Sequence, residues 1–222
     1  MIRDALRRML NVSRDDSFII KVRRKRISFF RDLTAPLPKP VRVLDVGGTA
    51  PFWEKMGLAG DPDYQVTVLN LSESQSSHSN ITVVVGDARD MREYEDSAFD
   101  VAFSNSVIEH VGGLDEQRMM AEEVMRVGRR YFVQTPNRRF PFEPHFLFPF
   151  FQFFPLALKV FLIRHFSLGW YPKIPDKAEA TRAAKSVRLL NRSEIEDLFP
   201  GGEIYEEKLF GLTSSFIVRA GW

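Results

Sequence analysis

The stretch VLDVGGTAP (43–51) decides the fold. A short apolar run, Val41–Val46, ends in an acid and two glycines. Gly47 and Gly48 let backbone turn tightly and approach a ligand. Thr49 is suited to cap a helix and Pro51 to sit in its first turn, where a missing N–H matters little. The segment therefore reads as strand, glycine turn, helix. Four more apolar runs follow at Val66–Leu69, Ile81–Val85, Phe99–Phe103 and Tyr131–Gln134. Runs without polar alternation predict strands buried on both faces, as in a parallel sheet layered with helices. Asp115–Val127 reads as a helix with Met120, Val124 and Val127 inward. Ser193–Glu196 reads as a capping box opening a short helix. Two last strands, about Ile204–Leu209 and Ser214–Arg219, are spaced to pair as an antiparallel hairpin.

Outside that frame the chain changes character. Of its 222 residues, 20 are phenylalanine and none is cysteine, which excludes a disulfide scaffold, a cysteine-bound zinc and a thiol nucleophile. Residues 1–40 hold 11 Lys/Arg against 4 Asp/Glu, whereas residues 41–222 hold 20 against 25. This basic arm reads as two helices, the second with Ile20, Ile27, Phe30 and Leu33 at helical spacing. Its charged run from Lys21 to Arg26 reads first as a solvated face, and otherwise as a contact with anionic lipid or phosphate. Pro36, Pro38 and Pro40 then make a linker. The expected organisation is a basic helical extension over 1–40, a main domain over 41–222, and an aromatic-rich insertion at 138–190. No signal peptide is evident, and the greasiest stretch, Phe146–Ile163, is interrupted by Pro149, Gln152, Pro155 and Lys159, so no spanning helix is expected. A mildly acidic main domain gives no support for a nucleic-acid face. The expected location is cytoplasmic, with peripheral contact at the inner membrane surface left open.

In open α/β sheets ligands bind beyond the carboxyl ends of the strands. The residues there are Asp45-Val-Gly-Gly48, Asn70, Gly86-Asp87-Ala88 and Ser104-Asn105-Ser106. Together with their order and spacing, VLDVGG (43–48), VTVLNLS (66–72), VVVGDARDM (83–91), FDVAFSNSVIEHVGG (99–113) and EVMRVGRRYFVQTPN (123–137) resemble the class I S-adenosylmethionine-dependent methyltransferases, most nearly the bacterial type 11 group. The resemblance implies a Rossmann-like fold: a mostly parallel seven-stranded sheet with an antiparallel C-terminal hairpin and helices on both faces. It also implies S-adenosylmethionine as cofactor. Asp45, Gly47 and Gly48 would hold its methionine portion. Asn70 would face the ribose, Asp87 the adenine amino group and Ala88 the ring. Asn105 and Ser106 would lie beneath the sulfonium, and Thr49 and Leu71 complete the set. Three departures stand out. Asn70 replaces the family's acidic ribose residue, Pro51 lies close to its third glycine, and the ten-residue connection Leu71–Asn80 is too rich in Ser and Asn for the usual helix.

Methyl transfer to an oxygen or nitrogen that must lose a proton calls for a base near neutral pKa, hence a histidine. His145, in the Pro141–His145 loop with Glu143, is the foremost candidate. His110 with Glu109 follows strand four, where some family members hold a metal or the acceptor; with Ser106 upstream instead of an acid, no metal is expected, and Glu109 and His110 read as fixing their loop. Residues 140–166 carry ten of the phenylalanines, six within Phe146–Phe154, too many for one face to hide. They read as a lid over the acceptor, a membrane contact, or a self-association surface or core. The expected activity is methyl transfer to a small-molecule, glycan or lipid-linked acceptor. Two alternatives compete. A non-catalytic member of the fold could act at a membrane surface or as a partner subunit. A nicotinamide oxidoreductase is disfavoured by its incomplete glycine fingerprint. Oligomeric state is left open.

Overall fold

The computed structural model describes residues 18–222; the first of the two N-terminal helices expected from the sequence falls outside them. In chain order the elements are α1 (Phe18–Thr34), β1 (Val41–Val46), α2 (Ala50–Lys55), β2 (Tyr64–Asn70), β3 (Ile81–Val85), β4 (Val101–Asn105), α3 (Leu114–Val127), β5 (Tyr131–Pro136), β6 (Phe142–Glu143), β7 (Phe148–Pro149), α4 (Leu156–His165), α5 (Lys177–Lys185), α6 (Arg192–Leu198), β8 (Glu203–Leu209) and β9 (Leu212–Ala220).

Seven strands form one sheet in the order β3-β2-β1-β4-β5-β9-β8, and β6 pairs separately with β7. β1 runs parallel to both β2 and β4, and β2 to β3. The strand order reverses between β1 and β4, the switch point where such sheets bind ligands. The apolar runs were legible because β1, β4 and β5 are buried almost end to end, while β3 and β8 show the mixed exposure of edge strands. β8 and β9 are joined by Phe210-Gly211, both at positive φ (52° and 81°), the geometry of a tight two-residue hairpin turn. No helix forms between β2 and β3, in keeping with the Ser/Asn-rich connection.

The chain divides into two compact units. The first comprises residues up to Asn105, with Glu123–Val133 and Arg219–Trp222. Its core is aromatic: Phe30, on α1, lies 5.1 Å from Phe103, 5.6 Å from Phe132 and 6.3 Å from Trp53, edge-on to each. Offset edge contacts of this kind add to the apolar burial of the rings. Ile20, Ile27 and Phe30 bury one stripe of α1, as their spacing predicted. The reading of Lys21–Arg26 as a solvated face holds only in part. Lys21, Arg24 and Lys25 are exposed, but Arg23 is half-buried with its guanidinium 6.0 Å over the Phe52 ring, and Arg26 is buried.

The second unit comprises Ser106–Glu122 and Gln134–Val218. Within it, Phe146, Phe151, Val160, Ile163, Leu168, Ala180 and Ala184 form a small core drawn entirely from the aromatic insertion. The helix expected to begin at a Ser193 capping box starts instead from Asn191, whose side chain accepts from the Glu194 N–H while Glu194 reaches back to the Asn191 N–H. Asn caps as well as Ser, and Glu194 is the acid in register with it.

Phe30→Ala should lower unfolding stability by about 3–5 kcal/mol, the range for truncating a buried aromatic, measurable by urea denaturation.

Candidate active site

At the carboxyl end of β1 the Asp45 carboxyl is only 1% exposed. Its Oδ2 accepts a 2.6 Å hydrogen bond from the Trp53 indole, supplied by α2, and its Oδ1 is buried without a partner. Burial pushes this carboxyl up to about 7, against the pull of the indole N–H. Gly47 takes φ +78°, and a Cβ on Gly48 would lie 1.7 Å from Asp45 Oδ2, so the turn admits no side chain at 48. Thr49 occupies the N-cap position of α2 but makes no side-chain capping bond.

Asn70 explains its own departure from an acid. Its amide donates to the Gly48 carbonyl at 2.7 Å, and its Oδ1 accepts from the Ser72 N–H at 3.2 Å. A carboxylate cannot donate, and would set its charge against the carbonyls of the glycine turn. Leu71 is largely exposed and Ala88 buried. Asp87 is gripped by Arg89, through its main-chain N–H and its guanidinium at 2.5–3.1 Å, which holds the carboxyl below the usual range. Asn105, at the end of β4, accepts a 2.5 Å hydrogen bond from the Arg26 guanidinium. Arg26 is the residue that sequence reasoning missed. It sat inside a charge run, and the only available signal was its place one residue before Ile27 on the buried stripe. All of these groups belong to the first unit.

In the second unit, Ser106 opens the segment after β4 with φ +57°, unusual for a residue other than glycine, and its hydroxyl donates to Gln134 Oε1 at 2.8 Å. The next turn, Ile108–His110, brings Glu109 fully inside. Thr135 donates to one Glu109 oxygen at 3.0 Å, and the other has no partner. Burial raises the Glu109 pKa, countered by the neighbouring His145 and His110. His145 Nδ1 lies 2.7 Å from Glu143 Oε1, and Glu143, buried, also accepts the Phe146 N–H. His110 Nδ1 faces the Ser186 carbonyl at 3.3 Å. The two imidazoles meet edge to face, with centroids 4.8 Å apart. Burial disfavours a charged His145, but the hydrogen bond and charge of Glu143, with Glu109 behind it, outweigh burial and raise its pKa above 6.5.

His145 and His110, expected separately from the sequence, are thus brought together with Glu143. Glu109, read as a loop fixer, joins them: one ligand atom each from Glu109, His110 and His145 lie within 4.8 Å of one another, a donor set able to hold a divalent cation or to share a proton. Beside Glu143 a cavity of about 180 Å³ is lined by Arg138, Gln152, Lys159, Arg188, Phe146 and Phe151, among others. Burial and Arg138 together lower the Lys159 pKa.

Residues 42–131 match a family profile described as Methyltransferase domain. Over those residues the chain is similar to methyltransferase domains. An uncharacterized protein of Mycobacterium tuberculosis is 42% identical over 67 residues, 30% of this chain and 22% of that protein, so the match spans about a fifth of the relative's length. Two solved structures share the fold at low identity. The CurJ carbon methyltransferase is 15% identical over 92% of this chain and 55% of its own, with a TM-score of 0.57. A phosphoethanolamine N-methyltransferase 2 of Haemonchus contortus, in complex with phosphomonomethylethanolamine and S-adenosylhomocysteine, is 16% identical over 82% of this chain and 38% of its own, with a TM-score of 0.52. The Gly47–Gly48 turn, Asn70, Asp87 and Asn105 all fall inside the matched residues; Asp45 does too, while Glu143 and His145 lie beyond them.

A carboxyl raised to about 7 in the folded chain, against 3.8 ordinarily, keeps a proton that the unfolded chain releases. It therefore makes stability fall as pH rises from about 4 to about 7. Asp45→Asn should flatten that part of the stability–pH curve in thermal unfolding without ligand.

Proposed function

We propose that the protein transfers a methyl group from S-adenosylmethionine to an acceptor that gives up a proton to His145. The observation that carries the donor half is Asp45: a buried carboxyl with a free oxygen beside a turn that excludes side chains suits a small ligand bearing an amino group. Asp45 and the Gly47–Gly48 turn would hold the amino-acid end of the cofactor. Asn70 would keep the turn in place and Asn105, steadied by Arg26, would border the methyl end. Bound there, the cofactor supplies an electrophilic methyl group, and no covalent enzyme intermediate is needed.

For the acceptor half, Glu143 fixes His145 by one ring nitrogen and leaves the other to take the acceptor's proton; the Glu143 charge stabilises the imidazolium that results. The cationic and aromatic lining of the cavity beside Glu143 favours a small anionic acceptor, or an anionic head group on a lipid-linked one. A non-catalytic role at a membrane or with a partner is the competing reading; it predicts cofactor binding without turnover, or no binding.

S-adenosylhomocysteine should raise the unfolding temperature, and its absence of effect at saturating ligand would refute the donor site. Binding should release protons near pH 7, because an ammonium group beside Asp45 pulls its pKa down; calorimetry in buffers of different ionisation enthalpy reads this, and Asp45→Asn should abolish it.

Once an acceptor is found, turnover should rise with pH through a pKa above 6.5, where His145 loses its proton. His145→Ala should cost about 10²–10⁴-fold in kcat with cofactor affinity unchanged. Glu143→Gln should move the rising limb to lower pH. Unaltered turnover on chelation by EDTA is expected for proton transfer by His145; loss of turnover would transfer the role to a cation on Glu109, His110 and His145.

A further inference from the structure

Helix α4 is apolar on both sides. Val160 and Ile163 face the insertion's own core. On the opposite side, Leu158 is 40% exposed and Phe161 52% exposed. A surface helix of a water-soluble domain should turn polar residues outward, and one that is apolar all round requires a second apolar environment. The pattern extends beyond α4. Among the described residues fourteen large apolar side chains are exposed, and seven of them fall within residues 150–170, including Phe150, Phe153, Phe166 and Trp170. Clustering of this sort marks a binding surface, whereas single exposed apolar residues do not.

Charge identifies the occupant. Residues 138–190 hold 9 Lys/Arg and 3 Asp/Glu, so this one segment carries +6 in a chain of net +2. Part of that charge lies with the apolar groups: a groove of about 350 Å³ is lined by Leu156, Val160 and Phe161 together with Arg164, Lys177 and Thr181. Lys173 and Lys185 are also exposed. A second copy of this chain would meet the face with the same positive charge, which disfavours self-association. A bilayer with anionic head groups offers both complements at once. Aromatic and aliphatic side chains enter the head-group boundary while lysine and arginine stems extend to the lipid phosphates.

We propose that the α4 face, with Phe153, Leu158, Phe161, Phe166 and Trp170 as its apolar contacts and Arg164, Lys173 and Lys177 as its cationic ones, docks on an anionic membrane surface. The docking is peripheral, since no described helix is long and apolar enough to cross a membrane. It is independent of methyl transfer.

Co-sedimentation of the full chain with vesicles of phosphatidylcholine alone, and with added phosphatidylglycerol, tests it. The protein should pellet with the anionic vesicles and not with the neutral ones, and high salt should release it in part. Leu158→Ser with Phe161→Ser should lower the partition coefficient about tenfold or more, because each ring or branched chain withdrawn from lipid loses its apolar burial. Lys173→Glu with Lys177→Glu should lower anionic binding alone. Unchanged thermal unfolding and unchanged stabilisation by S-adenosylhomocysteine certify that the variants are folded, and keep a failure here separate from a failure of the donor site. Three outcomes would overturn the proposal: no binding to either vesicle, equal binding to both, or a dimer in light scattering that the Leu158/Phe161 pair of substitutions converts to monomer.

Discussion

Asp45 has its carboxyl out of reach of water, at the end of a strand whose neighbours lie on either side, with one indole N–H for company. Holding a carboxyl there is costly unless its charge is matched or its proton retained. The surrounding residues are arranged around that constraint. Trp53 must be placed by α2 to reach it. Position 48 must be glycine because the carboxyl occupies the space a Cβ would take. Asn70 must be an amide, since the glycine turn presents carbonyls that need a donor. The first unit's aromatic core then fixes Trp53 from behind, through Phe30 and Phe103.

Most of this frame could be read in the sequence, and for physical reasons. Strands buried on both faces cannot alternate, so β1, β4 and β5 announced themselves as apolar runs, and the polar residues at their ends stood out against them. What could not be read was the inward turn of individual charged side chains. Nothing in the order Lys21 to Arg26 distinguishes the one guanidinium that points at Asn105 from the four other cationic side chains of the run. Glu109 and His110 are adjacent in sequence, but which of them goes inside depends on a single turn of tight helix after β4. The meeting of His110 with His145 depends on the path of a loop set by Pro141 and Pro144, and residue spacing carries no information about that path. The displaced cap of α6 is a milder case, in which two acceptable capping residues lie two positions apart and the register of one glutamate decides between them.

The second unit presents a different balance. Glu109 and Glu143 are both interior, and the imidazole of His145 is the group that makes their burial tolerable, by hydrogen bond to one and by charge to the other. The hydrogen bond and charge of Glu143 favour the protonated ring, against the burial that disfavours it. The closeness of Glu109, His110 and His145 makes a donor set able to share a proton or hold a cation.

The insertion between β5 and α6 brings its own small core, built only from residues of that segment. Phe146 stacks on Phe151 at 4.3 Å and on Tyr171 at 4.6 Å, so its packing is internal to the segment. Drift in those residues is therefore answered within the same stretch of chain, where one change of side-chain volume can be offset by another.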